Sequence, residues 1–281
     1  MFLAARSSLP PGLRPTATLL GAPYDRTASF RRGARFGPAT IRWTSQSIES
    51  YSPTLDRDLE DVALLDAGDL PVENLPPEVL VEEVSHAVGG ATGLPVLLGG
   101  EHTVTVGAVR ALAARHPDLH VLTLDAHLDL REEYDGTRWS HACTTRRLID
   151  VVGEQRIAVL GVRSGTRQEF AAARGLLAAE RRLTLDHELW SRLEGRPLYV
   201  SVDIDVVDPA FAPGTGTPEP GGPSTGDLLD LLRVLAPLRV VGLDVVEVAP
   251  PYDPSGQTAV LAAMIVREAL LTWATSGGQP G

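Results

Sequence analysis

Short apolar runs alternate with longer amphipathic segments along nearly the whole chain. The apolar runs predict strands at 16–21, 62–65, 94–98, 120–124, 156–162, 183–185, 197–202 and 240–248. The segments between them predict helices at 38–48, 76–88, 104–116, 142–152, 168–180, a short one ending at 193, one from the cap at 224 to 235, and one at 258–274. Strands separated by helices indicate right-handed βαβ units. We therefore predict an α/β protein of three α/β/α layers with a mainly parallel central sheet.

The chain shows no low-complexity linker and no internal repeat, which predicts a single domain over residues 1–281. Residues 1–15 are rich in Pro, Arg and Ser and predict an extended or loosely held N-terminal arm. Residues 275–281 predict a frayed tail. The stretch 209–223 is rich in Pro and Gly, but its composition is too particular for a linker.

Charge and cysteine content narrow the possible partners and compartments. A formal net charge of −11 argues against nucleic acid and anionic membranes as partners. The single cysteine, Cys143, excludes an intrachain disulfide and fits a reducing compartment. The N-terminus has no long apolar region with a cleavage pattern, and apolar runs such as 259–266 are too short to span a bilayer. We expect a soluble, cytoplasmic protein.

The segment LTLDAHLDLR (122–131) contains the strongest candidate for a chemical site. Asp125, His127 and Asp129 follow the strand predicted at 120–124. If the extended geometry continues past the strand, side chains at i, i+2 and i+4 project to one side. Burying these groups without a basic partner is costly, and divalent cations would offset that cost. Asp-rich strand ends also cap helices and close turns, which is the structural alternative.

Two further predicted strand ends carry groups of the same kind, and open α/β sheets place their sites at such ends. His102 follows LLGGE, and Asp203 and Asp205 follow YVSV. Together these are four carboxylates and two imidazoles, and two divalent ions would neutralise the charge of the carboxylates. A ligand set with many oxygens and few nitrogens suits Mn²⁺ better than Zn²⁺. The segment LDVVEV adds Asp244 and Glu247 at another strand end.

Several longer motifs resemble the ureohydrolase family of arginases and agmatinases. They are SVDIDVVDPAFAPGTGTPEPGG, LGGEHTVT, LDAHLDLREEYDG, RGARFGPATIR and DVVEVAPPYDPSGQTA, which together extend over about 21–267. The forms PGTGTPEPGG and REEYDG…SHA are more similar to agmatinases than to arginases. The resemblance implies an arginase-like fold and two Mn²⁺ ions per subunit. The ligands it implies are His102, Asp125, Asp129 and Asp203 for one ion, and Asp125, His127, Asp203 and Asp205 for the second, with Asp125 and Asp203 bridging.

The resemblance also implies residues on the substrate side of the site. His141 matches the family's mobile proton-transfer histidine, Glu247 matches the carboxylate that pairs with the substrate guanidinium, and Thr217 matches a substrate-side threonine. The sequence departs from the family pattern at two places. Glu101 stands where many members have Asp, and SHACTTRR replaces the SHGTPFRR type. Neither departure removes an implied ligand.

The implied reaction is hydrolysis of a guanidino compound to urea and an amine. A guanidinium carbon is a poor electrophile, and water that bridges two divalent ions is a far stronger nucleophile than bulk water. Glu247 would orient the guanidinium, and His141 would protonate the leaving amine if it titrates near neutrality. We predict that the substrate is agmatine and the amine putrescine, which implies a place in polyamine biosynthesis.

Other substrates and functions remain open at this point. Acids in the loop after Asp129 (Glu132, Glu133, Asp135) favour a cationic substrate tail, whereas Arg131 favours a carboxylate tail, as in guanidinobutyrate; arginine is a further candidate. The alternatives from other classes are a metal-dependent amide deacetylase and a non-catalytic binding protein on the same fold. Family members are commonly trimers or hexamers, so a homo-oligomer is expected.

Overall fold

The structure is a computed structural model, and it describes residues 1–274. The strands are Ala17–Ala22 (β1), Tyr51–Ser52 (β2), Arg57–Asp58 (β3), Leu64–Asp69 (β4), Leu94–Gly99 (β5), His120–Leu124 (β6), Ile157–Leu160 (β7), Ala178–Glu180 (β8), Leu198–Asp203 (β9) and Val240–Val246 (β10). The α-helices are Gly37–Thr44 (α1), Pro77–Gly90 (α2), Val104–Arg115 (α3), Thr144–Val152 (α4), Arg167–Ala172 (α5), His187–Leu193 (α6), Thr225–Val234 (α7) and Gln257–Trp273 (α8). The tail predicted at 275–281 lies outside the described residues.

Eight strands form one sheet in the order β4-β1-β5-β10-β9-β6-β7-β8, and every neighbouring pair is parallel. The prediction of a mainly parallel sheet is therefore confirmed. The four central strands, β5, β10, β9 and β6, are those after which the candidate site residues occur in the sequence. Because parallel strands end at the same edge of a sheet, these residues are brought together there.

The buried apolar residues divide between the two faces of the sheet. Along β5, Val96 and Leu98 belong to one core cluster and Leu97 to the other, which is the alternation expected of a strand covered on both sides. Helix α8 packs in the first cluster through residues such as Ile265, and helices α2 and α3 pack in the second. The three-layer α/β/α prediction is thus confirmed, and the continuous sheet supports the single domain, which stays a prediction.

One helix and one strand were predicted wrongly near the sheet edge. The Ala- and Leu-rich segment 168–180 is helical only over Arg167–Ala172, and its end forms strand β8 (Ala178–Glu180). No strand occurs at 183–185 in the part of the chain that the structure describes. Ala178 pairs with Ala158 of β7, so the tertiary pairing of an edge strand overrides a local helix preference. The short antiparallel pair β2–β3 was not predicted.

The N-terminal arm is bound to the sheet rather than loosely held. Arg6 forms a parallel bridge with Leu65 of β4, and the Phe2 side chain is buried. The N–H of Phe2 donates to Asp66 Oδ2 at 2.9 Å, and the Asp66 carboxylate also accepts from the Arg42 guanidinium at 3.0 Å. The start of the arm therefore contacts the buried ion pair between Asp66 and Arg42.

Replacing Asp66 by Ala is expected to lower the free energy of unfolding by about 3–5 kcal/mol, because it leaves the buried Arg42 without its main partner. Asp69→Ala is the matched control: Asp69 also contacts Arg42, but its side chain is 38% exposed, so the loss should be below about 1 kcal/mol.

Burial alone would raise the pKa of Asp66, but the bonds from Arg42 and from Phe2 N–H outweigh it and hold that pKa below its usual value. This stabilisation is present above the unfolded-state pKa and is lost as pH falls through the folded-state pKa. Urea unfolding at pH 7 and at lower pH measures both effects. Equal losses for the two variants would contradict the assignment.

Candidate metal centre and substrate cleft

The loops that follow β5 and β10 are tied together at the edge of the sheet. Gly100 lies so close to residue 24 that a Cβ would stand 1.9 Å from the Tyr24 carbonyl oxygen, and only glycine fits there. The Gly100 carbonyl accepts from the Glu247 N–H at 2.8 Å, and the Glu247 carboxylate accepts from the His102 N–H at 2.8 Å. Glu247 itself has a φ of 61°, in the left-handed region. These contacts fix His102 and Glu247 relative to one another.

Three carboxylates surround the imidazole of His102. Nδ1 of His102 lies 3.1 Å from Asp125 Oδ2, 3.3 Å from Asp129 Oδ2 and 3.4 Å from Asp203 Oδ2. This nitrogen is fully buried and has no hydrogen-bond partner among the described residues. All four residues are at least nine-tenths buried. Three carboxylate oxygens thus lie within 3.4 Å of one imidazole nitrogen.

A second group forms around His127 and shares Asp125 with the first. Nδ1 of His127 lies 2.9 Å from Asp205 Oδ2 and 3.6 Å from Asp125 Oδ1. The two oxygens of Asp125 are therefore directed to different histidines. Asp203 lies between the groups, because its Oδ2 faces His102 and its Oδ1 accepts from the Asp205 N–H at 2.9 Å.

The backbone brings these residues together in a way that differs from the sequence-based expectation. Strand β6 ends at Leu124, and Asp129 has a φ of 49°, so the extended geometry does not continue through 125–129. Asp tolerates the left-handed region better than most residues. The predicted convergence of Asp125, His127 and Asp129 is nevertheless present, although a bend rather than strand alternation produces it.

Mutual repulsion of carboxylates and the nearby histidines determine the charges in the cluster. Burial, and then the charge of Asp125, raises the pKa of Asp129 to about 6. Burial, together with Asp205 and Asp125, raises the pKa of Asp203 well above its usual value. Burial would also raise the pKa of Asp125, but its close contacts with the His102 and His127 rings outweigh it and lower that pKa. Burial would lower the pKa values of His102 and His127, but the surrounding aspartates raise the pKa of His102 well above its usual value and that of His127 to about 12. In the metal-free protein these histidines carry the compensating positive charge, which bound divalent ions would replace.

The donor set fits divalent cations. Two groups of residues place their ligand atoms within 4.8 Å of one another: His102, Asp125 and Asp129, and Asp125, His127 and Asp205. Carboxylate oxygens with one imidazole nitrogen per group suit Mn²⁺. The second ring nitrogen of each histidine also has a partner: Nε2 of His102 is 3.1 Å from Ser201 Oγ, and Nε2 of His127 is 3.5 Å from Glu219 Oε1. Such outer contacts orient metal-binding histidines.

Asp244, which the sequence placed at a strand end beside Glu247, is not part of this cluster. It lies within β10 and is fully buried. Its carboxylate accepts bonds from hydroxyl groups instead. The other six candidate ligand residues predicted from the sequence are all brought together.

His141 lies across the cleft from the carboxylate cluster. Its backbone N–H donates to Thr27 Oγ at 3.0 Å, its ring nitrogens lie 3.4 Å from the hydroxyls of Thr27 and Ser29, and its ring stands edge-on to Tyr134. Burial, and then the charges of His102 and His127, lowers its pKa to about 4. The expected titration near neutrality is therefore not found, and the imidazole is neutral at pH 7 in the free protein.

Glu247 and Thr217 line the same cleft, which has a volume of about 300 Å³. Burial, followed by the charge of Glu101, raises the pKa of Glu247 to about 8. Thr217 Oγ lies 3.4 Å from Asp205 Oδ2. The cleft thus has the cluster and Glu247 at its inner end and His141 on its wall.

Sequence reasoning missed several residues of the cleft. Glu101 was noted only as a departure from the family pattern, but its buried carboxylate accepts from both the N–H and the hydroxyl of Thr27, which in turn holds His141. Glu169 and Tyr134 also line the cleft. Only the position of Glu101 beside His102 offered a sequence signal.

The comparison with known protein families decides the classification. The model of the arginase family matches residues 15–272. The chain belongs to the arginase family. The resemblance found from the motifs is thus confirmed, and the deacetylase and binding-protein alternatives lose their support.

Relatives within the arginase family extend over nearly the whole chain. An agmatinase of Bacillus anthracis is 45% identical over 263 residues, which cover 91% of each protein. A proclavaminate amidinohydrolase of Streptomyces clavuligerus is 37% identical over 278 residues, covering 91% of this chain and 87% of that one. The crystal structure of a putative agmatinase from Clostridium difficile superposes with a TM-score of 0.88 at 34% identity, covering 93% of this chain and 98% of the other.

Proposed function

We propose that this protein is an agmatinase, which hydrolyses agmatine to urea and putrescine. The observation that carries the proposal is the pair of carboxylate–histidine groups sharing Asp125 at the inner end of a cleft lined by Glu247. The similarity to agmatinases over nine-tenths of the chain supports the choice of substrate. Both the residue groups and the similarity to agmatinases support a guanidino substrate and its hydrolysis to urea.

The proposed metal ligands are His102, Asp125, Asp129 and Asp203 for one ion and Asp125, His127, Asp203 and Asp205 for the other. Two bound divalent ions would supply a strong nucleophile from water and would stabilise developing negative charge. The ligand residues themselves contribute negative charge at fixed positions, which lets the cleft hold cations close together. Mn²⁺ is the ion we propose, on the basis of the oxygen-rich donor set.

Glu247 is proposed to bind the guanidinium group. One of its oxygens is held by the His102 N–H, so the carboxylate has a fixed orientation and its other oxygen is available to the substrate. Its pKa of about 8 belongs to the free protein, and a bound guanidinium would lower it and favour the ionised form. The carboxylate and the guanidinium then form paired, charge-assisted hydrogen bonds. This contact would place the guanidinium carbon against the ligand cluster. Thr217 is proposed to contact the same end of the substrate.

His141 is proposed to transfer the proton that the leaving amine needs. Because its imidazole is neutral before the reaction, one ring nitrogen can accept the proton that water loses and deliver it to the amine nitrogen. The contacts with Thr27, Ser29 and Tyr134 orient the ring toward the cleft. Urea and a protonated amine are then the products, and the histidine returns to its neutral form.

Replacing His141 by Ala is expected to lower kcat by about 10²–10⁴-fold, the usual contribution of a proton-transfer group. The Mn²⁺ content should stay at two per chain, since His141 contacts none of the proposed ligands. Steady-state urea release with metal analysis of the same samples measures both. His86→Ala, at an exposed position on α2, is the control and should behave as wild type. Loss of metal in the His141 variant would show that its role is misassigned.

The cleft also contains groups that would contact the substrate tail. The Arg131 guanidinium lies 4.6 Å from the Tyr134 ring centre, and its Nε is 3.8 Å from the buried Glu169 carboxylate. Glu132, which was expected to favour a cationic tail, instead binds Arg146 and Arg147 outside the cleft. Arg131 therefore gives a second candidate: a guanidino acid with a carboxylate tail.

Urea release from agmatine, arginine, guanidinobutyrate, guanidinopropionate and guanidine tests the proposed function. The protein is loaded with Mn²⁺, and its metal content is measured alongside. Urea from agmatine alone, abolished by a chelator, is the expected result. Equal or faster urea release from guanidinobutyrate would replace agmatine by a guanidino acid. Urea from none of them, with two ions bound, would overturn the proposal.

We also propose several further features that the sequence predicts. The charge of −11 disfavours nucleic acid as a partner. No helix in residues 1–274 is long and apolar enough to cross a membrane. Location in the cytoplasm, assembly as a trimer or hexamer, and a role in polyamine biosynthesis stay predictions.

A further inference from the structure

A buried hydroxyl network lies directly behind His102, on the side away from the cleft. Asp244 of β10 and Ser201 of β9 are direct partners in the parallel pairing, so their side chains stand next to each other. Tyr199 lies two residues before Ser201 on the same face of β9, and Thr105 faces them from α3. All four residues are 0–1% exposed. A carboxylate in such a position needs a specific set of partners.

The Asp244 carboxylate accepts a hydrogen bond from each of three hydroxyl groups. Ser201 Oγ donates to Oδ1 at 2.6 Å, and Thr105 Oγ and the Tyr199 OH both donate to Oδ2 at 2.7 Å. These lengths are typical of hydroxyls bound to an ionised carboxylate. The three bonds hold Asp244 as an acceptor in an otherwise apolar core.

The direction of these bonds fixes the position of a proton on His102. A serine hydroxyl has one hydrogen, and Ser201 gives it to Asp244. Ser201 Oγ must therefore accept in its contact with Nε2 of His102, 3.1 Å away, so Nε2 carries the ring proton. In the neutral imidazole, Nδ1 is then the unprotonated nitrogen. This is the atom that faces Asp125, Asp129 and Asp203.

We propose that Asp244 is a positioning residue which, through Ser201, holds His102 in the tautomer with a free Nδ1 and so sets the affinity for one of the two metal ions. The inference rests on the proposed ligand role of His102. It assigns a role to a buried carboxylate that contacts neither the proposed ligands nor the cleft. The network determines which nitrogen can bind, rather than contributing a ligand.

Asp244→Asn gives the sharpest test, because it keeps the shape of the side chain and reverses the direction of its hydrogen bond with Ser201. Thr105 and Tyr199 both donate to the Oδ2 position, so the amide oxygen should take that place and the NH₂ group should face Ser201. Ser201 then accepts from the amide and turns its own hydrogen toward His102 Nε2. This favours the tautomer with a proton on Nδ1, which cannot bind a metal ion.

The measurement is the Mn²⁺ content of the loaded protein after dialysis against buffers of fixed free Mn²⁺. We expect wild type to hold two ions, and Asp244→Asn to need about 10–100-fold more free Mn²⁺ for one ion while retaining the other normally. Ser201→Ala removes the same relay and should also weaken one ion. Tyr199→Phe is the matched control: it removes one hydroxyl from Asp244 but leaves Ser201 and His102 in contact, so its affinities should stay within about threefold of wild type.

Histidine-¹⁵N NMR of protein loaded with diamagnetic Zn²⁺ supplies a second readout, because bound Mn²⁺ would broaden the signals of its ligands. The His102 signals should report a metal-bound Nδ1 and a proton on Nε2 in wild type, and loss of the metal-bound Nδ1 signal in Asp244→Asn at the same free Zn²⁺. Unchanged Mn²⁺ affinity in both Asp244→Asn and Ser201→Ala would overturn the inference, as would an equal loss in Tyr199→Phe. If Asp244→Asn does not fold, Ser201→Ala decides. If wild type itself holds no divalent ion, the proposed function fails as well, which separates the two failures.

Discussion

Asp125→Asn is expected to remove at least one of the two metal ions and to lower kcat/KM by about 10³-fold. Asp125 is common to both ligand groups, with Oδ2 3.1 Å from His102 Nδ1 and Oδ1 3.6 Å from His127 Nδ1. An amide replaces one of these oxygens by an NH₂ group, which cannot bind a cation, and removes one negative charge. Loss of about 4 kcal/mol of transition-state stabilisation corresponds to about a 10³-fold lower kcat/KM.

Metal content and thermal unfolding distinguish this result from simple misfolding. Wild type should hold two Mn²⁺ per chain and should unfold at a higher temperature when Mn²⁺ is added, because the ion binds only the folded state. Asp125→Asn should hold at most one ion and lose most of that increase. In metal-free protein at pH 7 the variant should be less stable than wild type, because the ionised Asp125 carboxylate is stabilised there by His102 and His127, which lower its pKa.

Asp186→Asn is the matched control for that experiment. Asp186 caps α6 by accepting from the Leu189 N–H, and Asn caps helices about as well as Asp. The control should keep both ions and full activity. An Asp125→Asn protein with two ions and near-normal activity would show that the shared carboxylate does not bridge them.

The sequence predicted the centre of the sheet well because its strands are covered on both sides. Continuous apolar runs such as Leu94–Gly99 and His120–Leu124 have few alternative structures, and their boundaries agree closely with those predicted. At the sheet edge, pairing with a neighbouring strand determines the structure. Ala178–Glu180 becomes a strand because β7 pairs with it, and no local pattern encodes that pairing.

The same distinction applies to the site. His102, Asp203 and Asp205 were found because each follows a strand closely and belongs to a short local motif. The contact of Thr27 with Glu101, and that of Ser201 with Asp244, join residues far apart in the chain. Such contacts depend on strand order and register, which a single sequence does not provide. The lowered pKa of His141 also depends on burial and on distant charges, so it could not be anticipated.

Glu247→Gln is expected to lower kcat/KM for agmatine by about 10²–10³-fold while leaving both ions in place. Glu247 is 6% exposed and lies at the inner end of the cleft, so a guanidinium bound there would pair with it away from water. Removing one member of a buried, hydrogen-bonded charge pair costs about 2–5 kcal/mol. The Gln side chain keeps an oxygen that can accept from the His102 N–H, so the ligand cluster should be undisturbed.

Inhibition by the guanidinium ion separates a binding role of Glu247 from a merely structural one. This ion has the reacting group of the substrate but no tail, so its inhibition constant should rise in Glu247→Gln by about the same factor as kcat/KM falls. Glu268→Gln is the buried control: Glu268 pairs with Arg267 of the same helix, α8, and with Ser52 of β2, so the variant should lose stability but keep wild-type kinetics. A Glu247→Gln protein that binds guanidinium normally but has lost Mn²⁺ would contradict the assignment. Glu247 would then hold His102 in place rather than bind the substrate.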